Sequence, residues 1–308
     1  MAQNQSLNSQ PLTLWLITRE VAFTNGTQTD IASQAASLGL SLKMIVPEQC
    51  VCRIASDGAL SITHQGAPID LPDAALAFRS ATGSAFVLAF MNHLERAGVP
   101  VLNSWSKMSV GRDKYLTLQY LAEAGVPVPM THLAPLPLRS IEDSWPHSYP
   151  VVAKLALGAG GDTVHLCSTP SELAALATDL KSAPGLLLQS YVPSEPAEDI
   201  RVYVVGGEVV GAVVRQAPPG QWKANIAQGG RAWEIQVDDE LERLSLAAAD
   251  AIGFDFVGID FFRTKQGYLV NEVNPAPMYY TADPRTYNVT RAILDLVVSR
   301  VAAKPQAQ

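Results

Sequence analysis

The stretch VGIDFFRTKQGYLVNEVNPAP, residues 257–277, constrains the fold more than any other part of the chain. Its runs GIDFF and YLVNEVN are rich in aromatic and β-branched residues and predict two strands. RTKQG between them predicts a short hairpin loop with Gly267 at positive φ. A turn centred on Gln266 sets Asp260 opposite Glu272, with Asn274 on the same face as Glu272 because side chains alternate along a strand. Like charges directly opposed destabilise a sheet. Two readings follow. A register slip of one residue leaves both acids as ordinary solvated side chains. Otherwise a divalent cation lies between them, since magnesium takes hard oxygen ligands, one or two carboxylates, and water or phosphate for the rest.

Upstream, the N-terminal third has a β–α–β rhythm. PLTLWLIT is an apolar strand, IASQAASLGL a helix ending near Gly39, and SLKMIV a second strand. ALAFRS, the amphipathic FVLAFMNHLERAG and the short VPVLN continue it, which predicts a small parallel sheet with helices. NGTQTD after the first strand is not the Gly-x-Gly-x-x-Gly of a dinucleotide site. In GRDKYLTLQYLAEAGVPVP, Asp113 caps a helix over 114–124 that Gly125 ends and Pro127 and Pro129 cannot continue. After a proline-punctuated connector, YPVVAKLALGAGGDTVHL reads as strand, glycine loop, strand. SELAALATDLKSA is a helix and LLLQSYV a strand. DIRVYVVGGEVVGAVVR is a hairpin turning at Gly206-Gly207, and DDELERLSLAAADAIG and RAILDLVVSRVAA are helices.

The candidates for anion binding are spread along these elements. LGAGGDT lacks Gly-Lys-Ser/Thr and leads into a strand, so it is no P-loop. It is either a plain turn or a flap whose N–H groups close over an anion. Lys154, four residues before the first glycine of that loop, is a cation in an apolar run; it either faces solvent from an edge strand or serves the anion. Lys114 opposes the helix dipole unless an anion is near. Arg201 and Arg215 flank the Gly206-Gly207 turn and suit bidentate recognition of phosphate or carboxylate. Asp199 either orients Arg201, binds a ribose hydroxyl, or forms a surface ion pair. QWKANIAQGG is a loop carrying Lys223 and Asn225.

Composition narrows the class. The chain has 308 residues, 48% hydrophobic and 17% charged, which is globular, and its net charge of −7 argues against nucleic-acid or anionic-membrane partners. The N-terminus lacks a signal-peptide pattern, and no apolar run reaches membrane-spanning length. The odd trio Cys50, Cys52 and Cys167 predicts free thiols and a cytoplasmic protein.

Lysine, glycine flap, arginines, asparagine, then Asp…Glu-x-Asn, in that order, resembles the ATP-grasp superfamily. It is most similar to the RimK-type amino-acid (alpha-L-glutamate) ligases and more distantly to glutathione synthetase. The resemblance covers almost the whole chain, with Arg79 in the place of an arginine of the family's N-terminal domain. It implies an α/β (α+β) chain: a Rossmann-like pre-ATP-grasp domain over 1–104, a central ATP-grasp subdomain with the glycine flap over 105–190, and a C-terminal subdomain with the metal site over 191–308. It further implies ATP contacts from Lys114, Lys154, Gly158, Gly160 and Gly161. The hinge at Gln189, Ser190, Tyr191 and Val192 would lie beside adenine, and Asp199 near the ribose. Lys223, Ala224 and Asn225 would also line the ATP site. Asp260, Glu272 and Asn274 would hold two Mg2+ (or Mn2+), and Arg215, supported by Arg201, would act at the acyl centre.

Three positions depart from the family pattern. Ser190 stands for an acidic residue, Thr163 for a glycine, and PAPMYYTADPRT replaces the usual Pro-Gly after the metal asparagine. The last departure makes Met278, Tyr279 and Tyr280 candidates for an altered acceptor pocket. The implied chemistry is carboxylate–amine ligation through an acyl phosphate, on small-molecule carboxylate and amine substrates, with a homo-oligomer left open. The alternatives are a non-catalytic ATP-binding sensor, an adenylating ligase, or a carboxylate kinase.

Overall fold

A computed structural model describes residues 11–19, 26–78, 84–157, 163–224, 229–277, 279 and 288–303. They form two compact units, Met1–Trp105 with Thr290–Gln308, and Ser106–Val289. The first unit contains β1 (Thr13–Ile17), α1 (Gly26–Ser37), β2 (Ser41–Ile45), β3 (Cys50–Ile54), β4 (Leu60–His64), β5 (Ala67–Ile69), β6 (Ala74–Ala77), α2 (Ala85–Arg96) and β7 (Val101–Leu102). Strands β2-β1-β6-β7 pair in that order, all parallel. Leu14 to Ile17 and Ala74 to Ala77 are buried on both faces, as a parallel sheet under helices requires. The sequence predicts this sheet.

It leaves residues 50–69 unassigned, and there β3-β4-β5 form an antiparallel sheet. Gln65 and Gly66, at φ 52° and 85°, make the two-residue turn between β4 and β5. The signal is weak because β3 exposes its apolar residues Val51 and Ile54, at 65% and 74%. The terminal helix, numbered α8 (Val289–Ala302), returns to this unit, where the Thr290 hydroxyl donates to Asp30 of α1.

The second unit contains α3 (Trp105–Gly111), α4 (Lys114–Glu123), β8 (Thr131–Pro135), α5 (Ile141–Ser144), β9 (Val151–Lys154), β10 (Val164–Cys167), α6 (Pro170–Asp179) and β11 (Gly185–Ser190). It continues with β12 (Glu198–Val205), β13 (Glu208–Gln216), β14 (Arg231–Glu234), α7 (Asp239–Ile252), β15 (Phe256–Thr264) and β16 (Gly267–Asn274). Two antiparallel sheets result, β10-β9-β11-β8 and β14-β13-β12-β15-β16. The short β8 occupies what the sequence presents as a proline-rich connector. As an edge strand it tolerates Pro135 at its end.

Strand β11 shows how the first sheet serves two cores. Leu186 and Leu188 pack with Trp145, Val151 and Leu173, while Leu187 packs with Leu118 and Leu121 of α4 and Val202, Ile259 and Val270 of the second sheet. Lys154 pairs with Leu187, and Gln189 with Val152 and Thr131, so these polar residues lie on the face turned toward the second sheet. Among the described residues no helix is long and apolar enough to cross a membrane.

One close approach fixes the second sheet beside the site. A Cβ on Gly258 would lie 2.8 Å from Pro277 Cβ and 3.5 Å from Arg201 Cδ. We predict that Gly258→Ala costs about 1–3 kcal/mol by overpacking. Urea unfolding checks this; an unchanged midpoint would mean that Pro277 moves aside freely.

Candidate active site

The β15–β16 hairpin turns through Lys265-Gln266, with Thr264 opposite Gly267 at φ 116°. This two-residue turn alone would place Asn271 opposite Asp260. A bulge at Asn271 restores the pairing that the sequence predicts: Phe261 faces Val270, but Asp260 faces Glu272 and Gly258 faces Asn274. The opposed acids are therefore present, and the bulge leaves Asn271 outside the register.

Their repulsion is answered within the protein. Arg201 forks onto Asp260, Nε to Oδ1 at 2.6 Å and Nη2 to Oδ2 at 2.7 Å. Arg215 forks onto Asp199 with both contacts at 2.6 Å and also reaches Asp260 Oδ2 at 3.0 Å. Asp199 pairs across the ladder with Arg215, and Arg201 with Asp260, so the strand registers set alternating charges side by side. Both arginines thus face the same side, and Asp199 orients Arg215, not Arg201. Burial works against every charge in this strip. The two guanidiniums nonetheless hold the Asp260 carboxyl below the usual range, Asp260 holds Arg201 above its own, and Asp260 with Asp199 does the same for Arg215. Burial raises Asp199 to about 6 against the pull of Arg215, so it is ionised at neutral pH.

Glu272 is different. Its side chain is 30% exposed and it pairs with Lys114, Nζ to Oε1 at 3.7 Å. Asn274 donates Nδ2 to Asp260 Oδ2 at 3.3 Å; reversing that amide presents its oxygen on the same side. Two carboxylates and an amide oxygen fit magnesium that takes its remaining ligands from water and phosphate. They do not make a protein-only cage, and among the described residues no cluster of three or more His, Cys, Asp or Glu forms one.

Lys154 is 5% exposed, which decides against the solvent-facing edge lysine. Its ammonium donates to Gln189 Oε1 at 3.0 Å and Asn271 Oδ1 at 3.4 Å. Burial pulls its pKa down to about 8; Lys114 pushes the same way, while Glu272 and Asp260 oppose. Lys114 opens α4 behind the Asp113 cap, and its backbone N–H donates to Ala156 O at 3.0 Å, tying the helix start to the chain leaving β9. Gln189 and Ser190 end β11, and Tyr191 stands edge-on to Trp222 at 6.2 Å. Lys223 donates to Val164 O at 2.5 Å and lies 5.1 Å over the Trp222 ring. Val192 and Ala224 follow in adjoining loops. Gly158, Gly160, Gly161, Asn225, Arg79, Met278 and Tyr280 lie outside the described residues; Tyr279 packs edge-on to Tyr203 at 6.3 Å. Thr131, Asn271 and Trp222 join the site without having been predicted. Only Asn271, a polar residue in an apolar strand, carried a visible signal.

A mixed α/β chain with two antiparallel sheets meeting over lysines, arginines and an acid–acid–amide trio defines an ATP-grasp ligase. Residues 111–296 match the RimK-like ATP-grasp domain. A probable alpha-L-glutamate ligase of Legionella pneumophila is 31% identical over 250 residues, covering 80% of this chain and 82% of that one. A RimK domain ATP-grasp protein from Sphaerobacter thermophilus has the same fold, with TM-score 0.69, 19% identity and coverage of 93% and 99%. So does ATP-grasp ligase PsnB, complexed with a phosphomimetic variant of minimal precursor, Mg and ADP, with TM-score 0.71, 18% identity and coverage of 96% and 100%. The chain belongs to the RimK-like ATP-grasp family, and it is an ADP-forming carbon–nitrogen ligase.

Two predictions follow from the charges. Asp260→Asn leaves two buried guanidiniums short of a partner and should cost on the order of 3 kcal/mol, whereas Glu272→Gln should stay within about 0.5 kcal/mol. Urea unfolding in a chelator checks both; equal effects would mean that Asp260 is not the hub of the strip. An ammonium attracts an anion only while protonated, so if Lys154 makes the ATP contact that the resemblance implies, ADP affinity measured in chelator falls as pH rises through about 8. Stability should move oppositely. The unfolded lysine keeps its proton to about 10.5, so between 8 and 10.5 the unfolded chain binds more protons and the burial penalty is relieved as pH rises. A Lys154→Met variant should flatten both trends.

Proposed function

We propose that this ligase joins a carboxylate to an amine through an acyl phosphate, adding an amino acid to a small metabolite, peptide or protein tail. A carboxylate is a poor electrophile, because its charge repels nucleophiles and its oxygen leaves badly. Its oxygen attacks the γ-phosphorus of ATP and ADP departs. The amine nitrogen then attacks the carbonyl carbon, inorganic phosphate leaves, and the amine loses a proton. In this reading Lys114, Lys154, Lys223, Ala224 and Asn225, with Gly158, Gly160 and Gly161, hold the nucleotide phosphates, and the 189–192 segment borders the base. Asp199 serves the ribose only through its own position, since both its oxygens are on Arg215. Asp260, Glu272 and Asn274 would hold two Mg2+ or Mn2+ ions, which neutralise charge at the phosphates when bound. Arg215, fixed between two carboxylates, meets the charge that develops at the acyl centre without having to reorganise, and Arg201 supports it.

The observation that carries this reading is the buried Lys154 ammonium. Among the described residues two of its three hydrogens have acceptors, both neutral, and it stands beside Lys114 and the acid–acid–amide trio. An anion completes that arrangement. In this reading the segments 1–104, 105–190 and 191–308 act as pre-ATP-grasp domain, flap-bearing subdomain and metal-bearing subdomain, with the terminal helix α8 of the last segment belonging to the first compact unit.

The test is an ADP-release screen of amino-acid pairs with magnesium, beginning with L-glutamate because of the alpha-L-glutamate ligase relative, with mass spectrometry of the product. ADP and phosphate should appear only with both substrates. AMP with pyrophosphate would overturn the acyl-phosphate route, and ADP without an amide product would indicate a kinase. Arg215→Lys should still bind ATP but form amide about a hundredfold more slowly or worse, since a point charge does not replace the planar fork. Undiminished turnover would move the acyl-centre role to Arg201.

A further inference from the structure

We propose that the Gln189 side chain serves the nucleotide's phosphates and not its base: Thr131, Gln189 and Asn271 form a directional hydrogen-bond relay that aims the Lys154 ammonium. This rests on the assignment of Lys154 to the phosphates made above.

The direction of the relay can be followed atom by atom. The Thr131 hydroxyl donates to Pro129 O at 2.8 Å. Its hydrogen thus engaged, the hydroxyl oxygen turns a lone pair to Gln189 and accepts from Nε2 at 3.0 Å. That contact sets which way round the amide sits, so Oε1 faces Lys154 Nζ at 3.0 Å. Reversed, the amide would point N–H groups at an ammonium. Gln189 is 2% exposed, which leaves its side chain no solvent in which to swing. On the opposite side the Asn271 bulge brings Oδ1 to 3.4 Å from the same ammonium. Thr131, Gln189 and Lys154 belong to the first sheet and Asn271 to the second, so the amine is held from both.

The chemistry of the partners matters as much as their geometry. Arg201 and Arg215 are each forked onto a carboxylate, which cancels much of their field. Lys154 is held by a neutral amide on either side. Among the described residues its hydrogen-bond partners carry no charge, so they orient it and leave its charge available to an anion. Gln189, Thr131 and Asn271 are accordingly positioning residues. The sequence resemblance puts Gln189 beside adenine; that contact is left to its backbone, while its side chain acts on the phosphate end.

Binding of ADP and of adenosine, each without divalent metal, separates the two roles. Gln189→Leu should weaken ADP about tenfold, the loss of one hydrogen bond to a charged group, and leave adenosine within about twofold. Thr131→Val should weaken ADP in the same sense, and Thr131→Ser, which keeps the hydroxyl, should restore it. Gln189→Glu keeps a partner for Lys154 but cancels its charge, so ADP should again weaken with adenosine unchanged; it also covers a folding failure of the leucine variant. Lys154→Ala combined with Gln189→Leu should bind ADP no worse than Lys154→Ala alone. Adenosine weakened as much as ADP by Gln189→Leu, or additive losses in the double variant, would overturn the relay. Unchanged ADP affinity in Lys154→Ala alone would instead overturn the phosphate assignment on which it rests.

Discussion

Asp260 is the residue on which the second unit's chemistry depends. It accepts from Arg201, Arg215 and Asn274, and it lies opposite Glu272. Taking ions out of water costs several kcal/mol each, and only good geometry offsets that cost. The geometry here comes from strand register. Cross-strand pairing puts Asp199 on Arg215 and Arg201 on Asp260, so two acids and two bases alternate across three neighbouring strands. Each charge is compensated by its neighbours, and the guanidiniums are held rigid before any substrate arrives. Rigid cations beside a developing charge are what a ligase of this class requires.

The register in turn depends on a bulge. A regular hairpin from the Lys265-Gln266 turn would set Asn271 against Asp260. One extra residue brings Glu272 to Asp260 and leaves Asn271 to reach Lys154. A single irregularity therefore serves both the acid–acid–amide trio and Lys154. Bulges that re-aim side chains beside a functional site are a recurrent use of this irregularity.

The cations differ in how they are held, and the difference matches the roles proposed for them. The arginines are paired with carboxylates and keep their charge despite burial. Among the described residues both acceptors of Lys154 are neutral, and burial lowers its pKa to about 8. It is the group whose charge an arriving anion would stabilise most, because nothing in its own hydrogen bonds already does so.

Much of this protein was determined by its sequence alone. The strand pattern of the two hairpins, the Asp113 cap, the parallel sheet of the first unit, and the order of lysine, arginines and Asp…Glu-x-Asn are local features. Side-chain alternation, glycine turns and cap chemistry express them directly. Tertiary structure decided the rest. The three-stranded sheet at 50–69 has too few buried residues to leave a pattern, and β8 is a strand only because β11 offers it a partner. That Asp199 binds Arg215 and not Arg201 depends on pairing between strands, which spacing along the chain does not encode. Asn271 and Thr131 join the site for the same reason. A hydrogen bond across 117 residues, such as Lys154 to Asn271, exists only once two sheets have packed face to face.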